Sequence, residues 1–213
     1  MDLWFERRVK PSCRGEGLLI RFADDFVCAV QNRSEAADFF EDLGARLGKF
    51  GLEPASDKTH LIRFCRADLM GSGKFDFLGF EFYWACTRSG RPGVKRRTSA
   101  KKLRAALRTF TDWIKRGRGV RVGNLMKTLI AKYQGYCNYY GVIGNCESLA
   151  QFFYQTKRLL FKWLNRRSQR RSYSWQVSKL SPPPSGSKAL NSALRRCSSF
   201  GWYADPGEGR SFV

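Results

Sequence analysis

The distribution of charge divides this chain before any secondary structure is assigned. Residues 86–180 carry 23 Lys and Arg and only two acids, Asp112 and Glu147. The first 85 residues carry 12 basic and 14 acidic side chains and the last 33 carry 4 and 2, so the net charge of +21 resides in the middle segment. A solvated protein surface ordinarily mixes both signs, and self-repulsion on this scale destabilises a compact state unless a polyanion neutralises it. The pattern predicts a near-neutral domain over residues 1–85 joined to a cationic one over residues 86–178. Residues 179–213 follow as a Pro/Ser-rich linker, Ser181-Pro182-Pro183-Pro184-Ser185-Gly186-Ser187, and an unassigned tail.

Composition removes several kinds of chemistry. Seven Cys with no CxxC pair fit neither a disulfide framework nor a zinc ribbon, and suit reduced thiols in a cytoplasmic setting. His60 is the single imidazole, too few for a multi-His metal site, and it reads as an ordinary solvated side chain. No secretory leader and no run of about 18 uncharged apolar residues is present, so no membrane partner is expected. An aromatic content of 15% gives enough apolar surface for a folded core.

The neutral segment reads as α+β. Leu18-Leu19-Ile20-Arg21-Phe22-Ala23 and Phe26-Val27-Cys28-Ala29-Val30 are β-prone runs separated by Asp24-Asp25, which predicts a tight hairpin. A helix is expected over residues 34–50, capped by Ser34, with Ala36, Ala37, Phe40, Leu43, Leu47 and Phe50 on one stripe and Gly51 as its stop. Leu61-Ile62-Arg63-Phe64 and residues 75–82 read as further strands; Phe75, Phe77, Phe80 and Phe82 are not expected to share one strand face. Adjacent carboxylates at a hairpin tip are usually just turn residues, but they are also what half of a divalent-metal site for phosphoryl transfer requires.

Beyond Thr98 the period becomes helical. Leu103, Ala106, Leu107, Phe110 and Ile114 form one apolar stripe, Val122 to Tyr140 a second, and Leu149, Phe152, Phe153, Leu159, Leu160, Trp163 and Leu164 a third. Breaks at residues 117–119 and 141–144 separate them, and Asn145 is placed to cap the third. Three helices with short connections predict a small bundle whose stripes form its core, so no recognition role falls on Leu107, Leu129 or Trp163. Recognition belongs instead to the forked donors outside the stripes: Arg96, Arg97, Arg116, Arg118, Arg121, Arg166, Arg167, Arg170 and Arg171, with Tyr173 available for stacking. No DNA-recognition helix is apparent.

Phe22-Ala23-Asp24-Asp25, then Lys58-Thr59, then Phe77-Leu78-Gly79-Phe80 resembles, in order and spacing, the palm of reverse transcriptases encoded by group II introns. Gly135-Tyr136-Cys137-Asn138-Tyr139-Tyr140-Gly141-Val142, Gly144-Asn145 and the run from Leu164 to Trp175 resemble the maturase-specific thumb, or X, domain of the same proteins. The likeness runs over roughly residues 3–178. It implies a partial palm followed by a three-helix thumb, with Asp24 and Asp25 as catalytic ligands of Mg²⁺ and Phe22 and Lys58 at the incoming nucleotide. Phe77, Leu78 and Gly79 would form the primer grip, and group II intron RNA would be the partner of the basic domain. The family's palm has a further metal-binding Asp and fingers N-terminal to the double Asp, and only 23 residues precede Asp24. The chain is therefore expected to be a C-terminal portion that binds Mg²⁺ weakly and is inactive alone, completed if at all by a separately encoded palm and fingers piece. A non-catalytic RNA-binding splicing cofactor acting through residues 86–178 is the alternative expectation.

Overall fold

The computed structural model describes residues 1–55, 57–66, 73–87 and 89–167. Arg170, Arg171, Tyr173 and the segment 179–213 lie outside the described residues. Helix and antiparallel sheet are both present, as the α+β expectation requires. The chain divides into two compact units between Lys95 and Arg96. This division falls later than the charge step at residue 86, within the strand that spans Pro92–Thr98.

The first unit opens with helix that no sequence pattern announced. A turn of α1 (Asp2–Trp4) widens into a π-helical stretch (Phe5–Val9) and closes in α2 (Lys10–Ser12). Phe5 and Val9, four residues apart and so on one face, are buried against Phe39 and Leu43. Leu19, Phe26 and Cys28 pack on the same cluster from β1 (Gly17–Phe22) and β2 (Asp25–Val30).

Strand β1 pairs with β2 from Gly17↔Val30 to Phe22↔Asp25, so the two-residue turn is Ala23-Asp24 and not Asp24-Asp25. Asp25 is the first residue of β2. Ala23 sits at φ +51° to make the turn, a left-handed conformation that disfavours a Cβ. The pleat sends Leu19 inward, and Leu18, Ile20 and Phe22 outward at 56%, 51% and 65% exposure. An apolar face of a two-stranded sheet is thereby left open to solvent.

Helix α3 (Arg33–Gly48) starts one residue before the expected cap. Asn32 occupies the cap position, and its side-chain amide donates to Glu35 Oε1 at 2.7 Å instead of capping the helix. The buried stripe runs through Phe39, Leu43 and Leu47; the expected Phe40 and Phe50 face solvent. Phe50 has the Arg46 guanidinium over its ring at 4.9 Å.

Leu61-Ile62-Arg63-Phe64 is not a strand. These residues have no ladder, and Leu61 and Ile62 are exposed while Phe64 lies on Phe75 and Trp84 at 5.1 and 5.6 Å. Residues 75–82 belong to a hairpin of two strands, β3 (Lys74–Phe77) and β4 (Phe80–Cys86), joined at Leu78-Gly79. Direct cross-strand partners share a face, and the pairs Phe75↔Phe82 and Phe77↔Phe80 place all four phenylalanines on one side, correcting the expectation that they would not share a face. Phe75 and Phe82 stack at 5.3 Å. Strand β5 (Pro92–Thr98) completes the sheet beside β4.

In the second unit α4 (Ala100–Arg116), a 3₁₀ turn (Gly117–Gly119), α5 (Val122–Tyr140) and α6 (Cys146–Leu164) reproduce the three expected stripes. Leu103, Phe110, Ile114, Leu129, Tyr133, Cys137 and Phe152 form one buried cluster from all three helices. Asn145 holds the N-cap position of α6, yet its side chain does not cap. Buried to 1% exposure, it accepts the Thr98 N–H at 2.7 Å and donates to the Tyr140 carbonyl at 2.8 Å, joining both ends of the unit's first 50 residues.

Tyr133 and Thr156 form the core's polar centre. The Tyr133 hydroxyl meets Thr156 Oγ1 at 2.8 Å, and Thr156 donates on to the Phe152 carbonyl at 2.9 Å. Burial pushes the Tyr133 phenol up to about 12, although the Thr156 bond pulls the other way. Thr156→Val strands a buried phenol O–H and should cost about 1–3 kcal/mol, whereas Tyr133→Phe leaves Thr156 satisfied and should cost only about 0.5–1.5 kcal/mol. Urea unfolding of the two variants checks the order. The phenol is held neutral by the fold, so its contribution is complete below pH about 10 and is lost as pH rises toward 12, a decline that Tyr133→Phe should lessen. In the first unit, Ala23→Gly should raise stability by roughly 0.5–1 kcal/mol by relieving the positive φ, read as an increase in the thermal midpoint.

Candidate nucleic-acid interface

Two places carry the residues that the sequence singled out. At the tip of the β1–β2 hairpin, Asp24 and Asp25 are both exposed. Arg21 secures the base of this tip. Its Nε and Nη2 grip the Asp2 carboxylate at 2.8 and 2.6 Å, and Nη1 donates to the Ala23 carbonyl at 3.0 Å. That clamp holds the Asp2 carboxyl below the usual carboxylate range.

Among the described residues no cluster of three His, Cys, Asp or Glu could hold a metal ion. A two-metal centre needs several carboxylates to neutralise its charge, and Asp24 and Asp25 with a nearby arginine do not supply that donor set. Phe22 is exposed beside them. Lys58 lies exposed in a turn where its backbone N–H bonds the Ala55 carbonyl at 3.0 Å. No hydrogen bond or ion pair among the described residues joins Lys58 to the Asp24-Asp25 hairpin. Phe77, Leu78 and Gly79 make the β3–β4 turn, with Leu78 at φ +49° and Gly79 at +79°. Two successive positive values are the type I′ signature, for which Gly suits the second position and Leu is strained at the first.

The basic side chains gather at the far end of the helical unit. Gly117 lets the chain leave α4 tightly, since a Cβ there would meet Leu125 Cδ1 at 2.9 Å. The turn that follows carries Arg118, whose Nε donates back to the Lys115 carbonyl at 3.2 Å. Trp163 stands on the last turn of α6 near this turn. Lys115, Arg118, Lys162 and Arg166 all lie over its ring, with charged atoms 5.6, 5.3, 6.0 and 5.2 Å from the centroid. Arg167 turns inward, donating Nε to the Arg118 carbonyl at 2.6 Å and Nη2 to the Val120 carbonyl, so that it fastens the turn to α6. Arg116 lies on the last turn of α4 and bonds the Asp112 carbonyl at 3.3 Å. The structure thus brings Arg116, Arg118, Arg166 and Arg167 to one end, with Lys115 and Lys162, which the sequence reading did not single out.

Cations at the C-terminal ends of α4 and α6 complement the helix dipoles; those at helix starts do not. Arg121 occupies the N-cap position of α5, and Lys101 and Lys102 lie in the first turn of α4, with no acid in either first turn. Each such cation opposes a dipole by roughly 0.3–1 kcal/mol, a cost that a bound polyanion removes. Arg96 donates to the Ile143 carbonyl at 3.2 Å and, like Arg97, is exposed. Arg96, Arg97, Lys101 and Lys102 form a second basic region, separated from the Trp163 end by the length of α4, roughly 25 Å.

The Trp163 cluster escaped the sequence reading because the residue obeys the core period. Helical spacing does place it beside the core, but packed helix ends leave one part of the ring accessible to cations. The signal in the sequence was the company of Lys162, Arg166 and Arg167 at i−1, i+3 and i+4.

Among curated proteins, none matches the chain. A family described as group II intron, maturase-specific domain matches residues 100–181, a span that takes in α4, α5 and α6 and extends past the described residues. Residues 100–181 are thus similar to the maturase-specific domain of group II introns, and the described part of that span carries the cationic end built around Trp163.

Proposed function

We propose that the chain binds group II intron RNA through residues 86–178 and assists its folding for splicing, and that residues 1–85 are the end of a reverse-transcriptase palm. The observation that carries the first part is the coincidence of the maturase-specific match with the segment that holds the whole charge excess. Arg96, Arg97, Arg116, Arg118, Arg121 and Arg166 present the phosphate donors, with Arg167 bracing the turn; Arg170, Arg171 and Tyr173 continue the basic run in sequence. Its place of action is the cytoplasm, in keeping with free thiols at the six described cysteines.

The palm reading rests on motif order: Phe22-Ala23-Asp24-Asp25, Lys58-Thr59, and Phe77-Leu78-Gly79. It is supported by two tight hairpins, one at the double Asp and one at Phe77-Leu78-Gly79, each with a non-glycine residue in a left-handed conformation. Strain of that kind collects at functional sites. In this reading Asp24 and Asp25 are the remaining ligands for Mg²⁺, Phe22 and Lys58 belong to the nucleotide site, and Phe77, Leu78 and Gly79 to the primer grip. Two exposed carboxylates without a third give at most weak Mg²⁺ binding, so the chain alone does not synthesise DNA. The open apolar face of Leu18, Ile20 and Phe22 suits a separately supplied palm and fingers piece. The same exposed carboxylates favour, as the second reading, a splicing cofactor that works through RNA binding without any polymerase role.

Structured group II intron RNA should bind with strong salt dependence and more tightly than random duplex DNA at equal salt. Equal affinity for the two, or a flat salt response, in filter binding from 0.05 to 0.3 M salt (about a sixfold span) defeats the RNA reading. Primer extension with Mg²⁺ should yield no product from this chain. Template-dependent product that vanishes in Asp24→Ala would overturn the proposed inactivity.

A further inference from the structure

We infer that Trp163 organises Arg118 and Arg166 into a clamp for successive phosphates of the RNA backbone; this deepens, and rests on, the RNA-binding reading above. Four cations lie within 6.0 Å of one indole centroid. Any two of them are therefore within about 12 Å, at most about one and a half Debye lengths at physiological salt, so their repulsion is only partly screened. Among the described residues one carboxylate reaches the group, Asp112, at 3.8 Å from Lys115.

Attraction to the ring is worth roughly 0.5–1 kcal/mol per cation at an accessible site. It orients a guanidinium without consuming its N–H donors, because the ring is met by a face and the donors point outward in the guanidinium plane. A carboxylate partner would have saturated those donors. The indole therefore leaves Arg118 and Arg166 organised but largely unspent, apart from the single bond from Arg118 Nε to the Lys115 carbonyl. Two further donors at this end are buried and meet no protein acceptor among the described residues: Trp163 Nε1 and Arg167 Nη1. Being buried, these two are closed to an external phosphate, so the contacts fall to the exposed Arg118 and Arg166. Helix capping accounts for one bond of Arg118 but not for the gathering of cations from α4, the turn and α6 on one ring.

Trp163 is a positioning residue in this scheme, and Arg118 and Arg166 make the contacts. The test measures intron-RNA affinity of the full chain against salt concentration for the wild type, Arg118→Gln/Arg166→Gln, Trp163→Phe and Trp163→Leu. The control is Arg108→Gln/Lys127→Gln, which removes two exposed cations from mid-helix positions. Loss of two phosphate contacts should lower the slope of log affinity on log salt by roughly 1.4–1.8, which is about 15- to 30-fold weaker binding near 0.15 M salt. The control should change the slope by less than half as much.

Trp163→Phe should retain most of the affinity and of the slope, and a folded Trp163→Leu should lose affinity with its slope lowered toward that of the double-arginine variant. Equal slopes for the double-arginine variant and the control overturn the clamp while leaving RNA binding in place. Absence of salt-dependent binding by the wild type overturns the RNA reading itself. Should Trp163→Leu fail to fold, the arginine pair against its control decides the matter alone.

Discussion

The aromatic contact between α4, α5 and α6 is what makes a surface this cationic possible. Phe110, Tyr133 and Phe152 meet in the middle of the bundle, with Tyr133 and Phe110 stacked at 6.3 Å and Tyr136 laid on Phe152 at 3.7 Å. Each aromatic ring buries a large area, and the pairings add about 0.5–1.5 kcal/mol beyond area alone. Repulsion between exposed cations is weak per pair in water and further screened by salt. Many such pairs accumulate where acids are scarce. A dense ring-packed core tolerates that load without compensating carboxylates, and so the donors stay available for an external anion.

The polar groups of the core follow the same logic. Tyr133 and Thr156 satisfy one another and a helix carbonyl, and Asn145 is consumed by Thr98 and Tyr140. Each fixes a register between segments distant in sequence, which apolar packing alone specifies loosely. Asn145 shows why a local rule misplaced a role. Asn at a helix start normally bonds its own helix, yet a buried Asn is under greater pressure to satisfy all its donors and acceptors, and Thr98 and Tyr140 offered more than the first turn of α6.

Helical segments were legible because their stripes extend over several turns, so that a single misjudged residue does not alter the period. The sheet segments were less so. Leu61-Ile62-Arg63-Phe64 has strand composition, but a strand needs a neighbour in register, and only Phe64 finds packing, on Phe75 and Trp84. In residues 75–82 the alternation of Phe changes parity at Leu78-Gly79, between Phe77 and Phe80, and that shift marks the reversal. The N-terminal helix was invisible because its face is two residues wide, Phe5 and Val9, and depends on Phe39 and Leu43 to bury it. The basic end was legible in kind from the arginines, but not in arrangement, since the indole that gathers them also satisfied the core period.

The two units differ in what their surfaces leave unsatisfied. The first exposes Leu18, Ile20 and Phe22 on a sheet of two strands, a deficit of apolar contact that another protein surface relieves. The second exposes cations held near an indole, a deficit of negative charge that a polyanion relieves. Salt acts oppositely on the two, weakening the attraction of phosphates while leaving apolar association intact or, with strongly hydrated anions, enhancing it. Any association through the hairpin would therefore be separable by ionic strength from association through the bundle, and the proposed RNA contacts would follow the second alone.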